Sequence, residues 1–232
     1  MRIRETKVFP DGLSVREYHS LRYGAPGQKR QTRSKPTPEA VKKNNLRRKA
    51  EGIRDLLRVN FVPGDYWITL TYRKEERPES MDEAKAIVKK FRERMKKYFR
   101  KAGAEFKWIQ KTEVGSRGAV HHHFVINWIQ GLDKALQKEW KHGIVRLQLL
   151  YSDGRFRELA DYIAKEESAE NAYTHSRNLQ KPKVIREILS GTFKPLRQTF
   201  MGFTLDKSSV VEGENMYGFP YRVAEYTRFG DG

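Results

Sequence analysis

Hydrophobic and polar positions alternate along Tyr66-Trp67-Ile68-Thr69-Leu70-Thr71-Tyr72, a run rich in β-branched and aromatic residues, which predicts a strand. The period then lengthens. Ala84, Ile87, Val88, Phe91, Met95, Tyr98 and Phe99 recur at helical spacing, which predicts a helix to about Lys101. Ser80 with Glu83 three residues later fits a capping box at its start, and Gly103 closes it. Strand character returns over Glu105 to Val114 and Ala119 to Asn127, and Val114-Gly115-Ser116-Arg117-Gly118 between them reads as a hairpin loop. A short helix over Leu132 to Trp140, a strand over Gly143 to Tyr151, a turn at Ser152-Asp153-Gly154 and a helix from Arg155 to about Ser168 follow. Towards the N-terminus, Phe9-Pro10-Asp11-Gly12 is a turn between two basic strands, and residues 25 to 37 form a loop. Thr37-Pro38 then opens a helix to about Val59 with Lys42, Lys43, Arg47, Arg48 and Lys49 on one face. Near the C-terminus Val184 to Leu189 reads as helical, and Tyr217 to Phe229 contains a strand.

The order β-α-β-β-α-β-α predicts an α+β fold of ferredoxin or RRM type: a central antiparallel β-sheet flanked by helices, with the helices expected on one face. The expected division is a basic N-terminal extension (hairpin, loop, helix) over residues 1–60 packing on a core of residues 61–182, and a C-terminal extension over 183–232. No internal repeat is present.

Charge narrows the partner. Lys plus Arg number 47 against 29 Asp plus Glu, a net charge of +18, and the pI is near 10.0. A polyanion is the natural partner, because each neutralised phosphate releases condensed counterions. The charge does not separate DNA from RNA. The chain has no cysteine, which excludes disulfides and thiolate metal sites. No run approaches 18 apolar residues, so no membrane span is expected, and the charged N-terminus lacks the apolar region of a secretory signal. A cytoplasmic protein is expected.

The third predicted strand of the central block carries His121-His122-His123. Side chains alternate across a strand, so His121 and His123 share one face and His122 points to the other. Two imidazoles on one face can hold a divalent ion if a neighbouring element adds a ligand. Glu113 ends the paired strand, with the spacing Glu-x7-His-x-His, and the hairpin folds it back beside them. One carboxylate and two imidazoles suit Mn2+ or Mg2+ with open water positions, rather than a closed structural zinc. The following helix holds Tyr162 and Lys165 at i and i+3 on one face. A tyrosine oxygen can attack phosphorus and keep the bond energy in a phosphotyrosine link, and a nearby ammonium favours phenolate. By itself Tyr-x-x-Lys is ordinary. Glu166, one turn on, is a lesser candidate ligand. Tyr173 reads as a packing or stacking residue, and His19 and His142 as surface residues.

Taken together in order, Trp67-Ile68-Thr69-Leu70-Thr71-Tyr72, His121-His122-His123-Phe124-Val125-Ile126 and Tyr162-Ile163-Ala164-Lys165 resemble the three motifs of rolling-circle replication initiators of the HUH endonuclease superfamily. His122 stands where that family usually has a hydrophobic residue. Thr174-His175-Ser176-Arg177-Asn178-Leu179 looks like a downstream segment of plasmid and phage replication proteins. The resemblance covers roughly residues 55 to 182. It implies Glu113, His121 and His123 as ligands of Mn2+ or Mg2+, Tyr162 as the nucleophile and Lys165 as an auxiliary cation. Without a Tyr-x-x-x-Tyr pair it implies the single-tyrosine type. The implied activity is nicking of single-stranded DNA at a replication origin, expected to be a hairpin, with a covalent 5′-phosphotyrosine and later rejoining, in the cytoplasm of a bacterial host. A host helicase and polymerase are implied partners, because the chain has no Walker motif of its own. Arg117, Arg177 and Asn178 are the favoured DNA contacts. Lys111, Lys29, Arg30, Arg33 and Lys35 are further phosphate candidates, and Trp128, Tyr66 and Tyr72 candidate stacking residues. The rivals are a transposase or relaxase of the same chemistry, an RRM-like module that merely holds RNA, and a basic structural protein.

Overall fold

The structure is a computed structural model and describes residues 1–19, 37–115, 118–151, 153–165, 173–215 and 219–228. In chain order its main elements are β1 (Arg2–Phe9), β2 (Gly12–His19), α1 (Pro38–Asn60), β3 (Tyr66–Thr71), α2 (Met81–Lys101), β4 (Trp108–Val114), β5 (Val120–Ile126), α3 (Leu132–Glu139), β6 (Val145–Leu149), α4 (Arg157–Ala164), β7 (Tyr173–His175), β8 (Lys183–Leu189), β9 (Thr199–Phe200), β10 (Phe203–Glu214) and β11 (Pro220–Thr227). They fall into two compact units, one made of Met1–Thr37 with Lys181–Gly232 and the other of Pro38–Gln180. The two chain ends thus build one unit together, and α1 belongs to the other unit rather than to an N-terminal extension.

The unit of the chain ends is an antiparallel sheet in the order β8-β1-β2-β11-β10-β9. Its core is Leu13, Val15, Ala224 and Tyr226. Glu17 is buried and held between Arg4 and Arg222, each 2.8 Å from a carboxylate oxygen, so the charge is paired where water cannot reach it. Gly12, at φ +151°, lies so close to β11 that a Cβ would sit 2.0 Å from the Tyr226 carbonyl oxygen, an approach that admits no side chain. The segment read as helical from Val184 is instead β8, paired with β1 from Val8↔Lys183 to Arg2↔Leu189. Its isoleucines and valine fit either period, and the partner strand lies far away in sequence, so pairing decided against local spacing.

The other unit carries βαββαβ connectivity through β3, α2, β4, β5, α3 and β6, on an antiparallel sheet in the order β6-β3-β5-β4-β7. This is the arrangement of ferredoxin-like folds. α2 and α3 cover one face over Ile68, Leu70, Phe124 and Ile126. α1 and α4 cover the other, where Ile53, Leu57, Ala160 and Ile163 meet Ile109 and Val125. Helices therefore lie on both faces, not on one. The physical reason is in the central strands, whose residues are apolar on both faces: buried Phe124 and Ile126 point one way and buried Val125 the other. α2 is capped as its sequence predicts: Ser80 Oγ accepts from the Glu83 N–H at 3.2 Å, and Glu83 Oε2 accepts from the Glu79 N–H at 2.7 Å.

Candidate nucleophile and metal-ligand site

β5 is paired on both sides, and its register fixes the site. Glu113 on β4 faces His121, Lys111 faces His123, and on β3 Thr69 faces His123. Alternation then places Glu113, Lys111, His121, His123, Thr69 and Trp67 on the face shared with α4. α4 turns Ala160, Ile163 and Ala164 into that face and leaves Tyr162 partly exposed at its margin.

The Tyr162 hydroxyl donates to Glu113 Oε1 at 2.8 Å and lies 3.2 Å from His123 Nε2. Glu113 Oε1 and His123 Nε2 are 3.1 Å apart. The three polar atoms form one triangle. Behind it, Thr69 Oγ1 lies 3.0 Å from His123 Nδ1, so the outer ring nitrogen is held and Nε2 is aimed inward, as in histidines that ligate metals. Trp67 stacks on His123 at 5.4 Å and 8°, and meets Tyr162 edge-on at 5.9 Å.

Lys111 supplies the positive charge here. It is buried, and its Nζ sits 4.2 Å from the centroid of the Tyr162 ring, donates to the Tyr162 carbonyl at 2.9 Å and lies 3.0 Å from Glu113 Oε2. A buried ammonium requires such partners. It is therefore not a phosphate-gripping surface residue. Lys165, the auxiliary cation expected from sequence, forms the exposed C-cap of α4.

His122 points the other way. It is fully buried against Trp140, its Nε2 is 2.7 Å from the Tyr72 hydroxyl and its Nδ1 is 2.8 Å from Thr112 Oγ1. Burial pushes its pKa down to about 3, so it stays neutral. Tyr72, considered as a base-stacking residue, is its core partner, and Tyr66 packs against the same core.

Burial alone would raise the Glu113 carboxyl, but hydrogen bonds from Tyr162 and Lys111 and the charges around it hold it below its ordinary value. Burial lowers His123 against the upward pull of Glu113. His121 is also lowered by burial, with Glu113 opposing and Arg146 and Arg77 assisting. At neutral pH the site therefore presents a carboxylate and neutral imidazoles, the protonation states in which these groups bind a metal. Among the described residues, however, no three His, Asp or Glu side chains are gathered as a metal-holding group. Glu113 and His123 converge; His121 shares their face with its ring 6.5 Å from that of His123. Its Nε2 lies over Gly115, where a Cβ would stand 2.9 Å away. In donor chemistry and facing these residues fit a hard divalent ion, with two donors in place and the third on the adjoining turn of the strand.

Arg117, Lys29, Arg30, Arg33, Lys35 and Glu166 lie outside the described residues. Arg177 and Asn178 follow β7 and line a groove beside α2, not the Tyr162 triangle. Tyr173 packs beneath α1, with Lys49 over its ring at 5.2 Å. Trp128 is exposed. His142 is hydrogen-bonded to Glu76 at 2.9 Å, and His19 stacks on Phe219. The contributions that sequence reading missed are those of Lys111, Trp67 and Thr69. Their only signal was parity with His121 and His123 across the ladders, which needs the register to be read.

A family model described as replication-associated protein ORF2 matches residues 65–167, a segment that runs from the start of β3 past α4 and contains every member of the triangle. That likeness supports a replication-associated role. No curated protein matches the chain, and no solved structure does. No described helix is long and apolar enough to cross a membrane.

Proposed function

We propose that this protein nicks single-stranded DNA at a replication origin and initiates rolling-circle replication of a plasmid or phage. The observation that carries the reading is the contact of the Tyr162 hydroxyl with Glu113 and His123, which unites the nucleophile and two ligand candidates that are about 40 to 50 residues apart in sequence. The Tyr162 oxygen attacks the scissile phosphorus. Its proton has an acceptor already in place in Glu113 Oε1. The 3′ oxygen leaves and takes up a proton from water, and the 5′ phosphate stays on Tyr162. Reversal by a 3′ hydroxyl rejoins the strand, because the phosphotyrosine bond stores the energy of the one broken. Lys111 neutralises charge beside the ring without entering the bond changes. Glu113, His123 and His121 would hold Mn2+ or Mg2+, whose chemistry here is to polarise the phosphate and orient it for in-line attack.

The test is incubation with a pool of labelled single-stranded oligonucleotides and Mn2+, followed by detergent electrophoresis. A protein–DNA adduct is expected from the natural protein and none from Tyr162→Phe, which loses one oxygen and keeps the packing of α4. An adduct that survives in Tyr162→Phe and disappears in Tyr173→Phe would reassign the nucleophile.

A further inference from the structure

On the face of the sheet opposite Tyr162, α2 and the segment around β7 enclose an open groove of about 920 Å³. One wall is a stripe on α2: Lys89, Arg92, Lys96 and Arg100, spaced 3, 4 and 4 residues apart and so aligned along one side of the helix over roughly 16 Å. Arg177 stands on the other wall. Five cations thus meet two carboxylates, Glu93 and Glu105, in the lining. The floor is aromatic, formed by Phe106 and Trp108. The Arg92 guanidinium lies 4.6 Å over the Trp108 ring and is pinned by Gln110 Oε1 at 2.7 Å and Thr174 Oγ1 at 3.4 Å.

A row of cations above an aromatic floor is the pattern that holds a single strand, with phosphates on the cations and bases stacked on rings and on a fixed guanidinium. A duplex would satisfy the cations and leave the floor empty, because its bases are already stacked. An acidic peptide would also use the cations alone. We infer that this groove is a second single-stranded DNA site, which holds a stretch of the same strand away from the scissile phosphate. The inference rests on the reading of single-stranded DNA as substrate. It gives Arg177 and Asn178 a place in DNA contact that their position, away from the Tyr162 hydroxyl, denies them at the cleavage step.

The test measures binding of a long oligothymidylate across a salt series in EDTA, so that no cleavage occurs. The groove variant Lys96→Ala/Arg100→Ala/Arg177→Ala is compared with Lys42→Ala/Lys43→Ala/Arg48→Ala, which removes equal charge from the exposed part of α1. The groove variant is expected to lose affinity and about 2 units of log–log salt slope, at about 0.7 for each phosphate no longer neutralised, while the α1 variant changes little. Trp108→Leu should weaken oligothymidylate about tenfold and leave a duplex of equal length and polyglutamate unaffected. Equal losses in the two triple variants would overturn the inference, as would a groove variant that binds oligothymidylate like the natural protein. So would loss of polyglutamate or duplex binding with oligothymidylate binding intact. A missing Mn2+-dependent adduct would instead count against the nicking reading, whatever the groove does.

Discussion

Among single residues, His122 and Lys111 depart most from what their neighbours in sequence imply. His122 sits between two site histidines yet serves the core, hydrogen-bonded to Tyr72 and Thr112. Strand alternation predicts that His122→Ala spares metal binding and nicking. The structure adds a stability loss of about 2–4 kcal/mol, from the cavity and two orphaned hydroxyls. Its titration has a definite sign. The folded pKa, about 3, lies below the ordinary histidine value of 6.5. The unfolded chain therefore binds the extra proton as pH falls from 6.5 towards 3, and the group costs stability across that window, by up to about 1.4 kcal/mol per pH unit. Urea unfolding of the natural protein and of His122→Gln between pH 7.5 and 4.5 should show the shallower decline in His122→Gln; parallel curves would refute the assignment. Lys111→Met keeps the stem and removes the charge from under Tyr162. Folding is expected to survive, and the rate of adduct formation to fall at least about tenfold, the scale of an electrostatic group at a reacting centre. A variant that forms adduct at the natural rate would reduce Lys111 to a structural ion pair with Glu113.

At the scale of elements, legibility followed locality. The capping box of α2, the β4–β5 hairpin and the alternation of the three histidines were all readable, because each depends on residues close in sequence. Ser80→Ala should cost about 1 kcal/mol by loss of the cap at the Glu83 N–H, measurable as a lower urea midpoint with unchanged slope. A cost near zero would mean that Glu83 alone secures that end. The site was legible as residue types, and Glu113, His123 and Tyr162 do meet. What could not be read was the ladder between β3 and β5, which puts Thr69 behind His123 and Trp67 on its ring. β8 failed to show for the same reason: its identity as a strand rests on β1, some 180 residues earlier. The second helical layer was hidden too, since α1 reads from its sequence as a basic surface helix and its apolar residues Ile53, Leu56 and Leu57 reveal their purpose only against β4 and β5.

For the whole molecule, the charge of +18 separates holding DNA from cutting it. Binding to single-stranded DNA is expected to persist in EDTA and to weaken steeply with salt, at about 0.7 log units per log unit of salt for each phosphate neutralised, whereas cleavage stops on chelation. Binding titrations and nicking assays run in parallel check this; cleavage that survives thorough chelation would remove the ion from the reaction. The pairing of the chain ends has a consequence for how the protein is made. β1 and β2 leave the ribosome first, but a lone two-stranded hairpin is barely stable in water, and their neighbours β8 and β11 are synthesised last. The stretch from Pro38 to Gln180 is continuous and holds all its own sheet partners. Synthesis thus imposes a sequence of events: the nucleophile-bearing unit can fold while the chain is still growing, and the earliest strands must wait for the final ones before their own sheet can close.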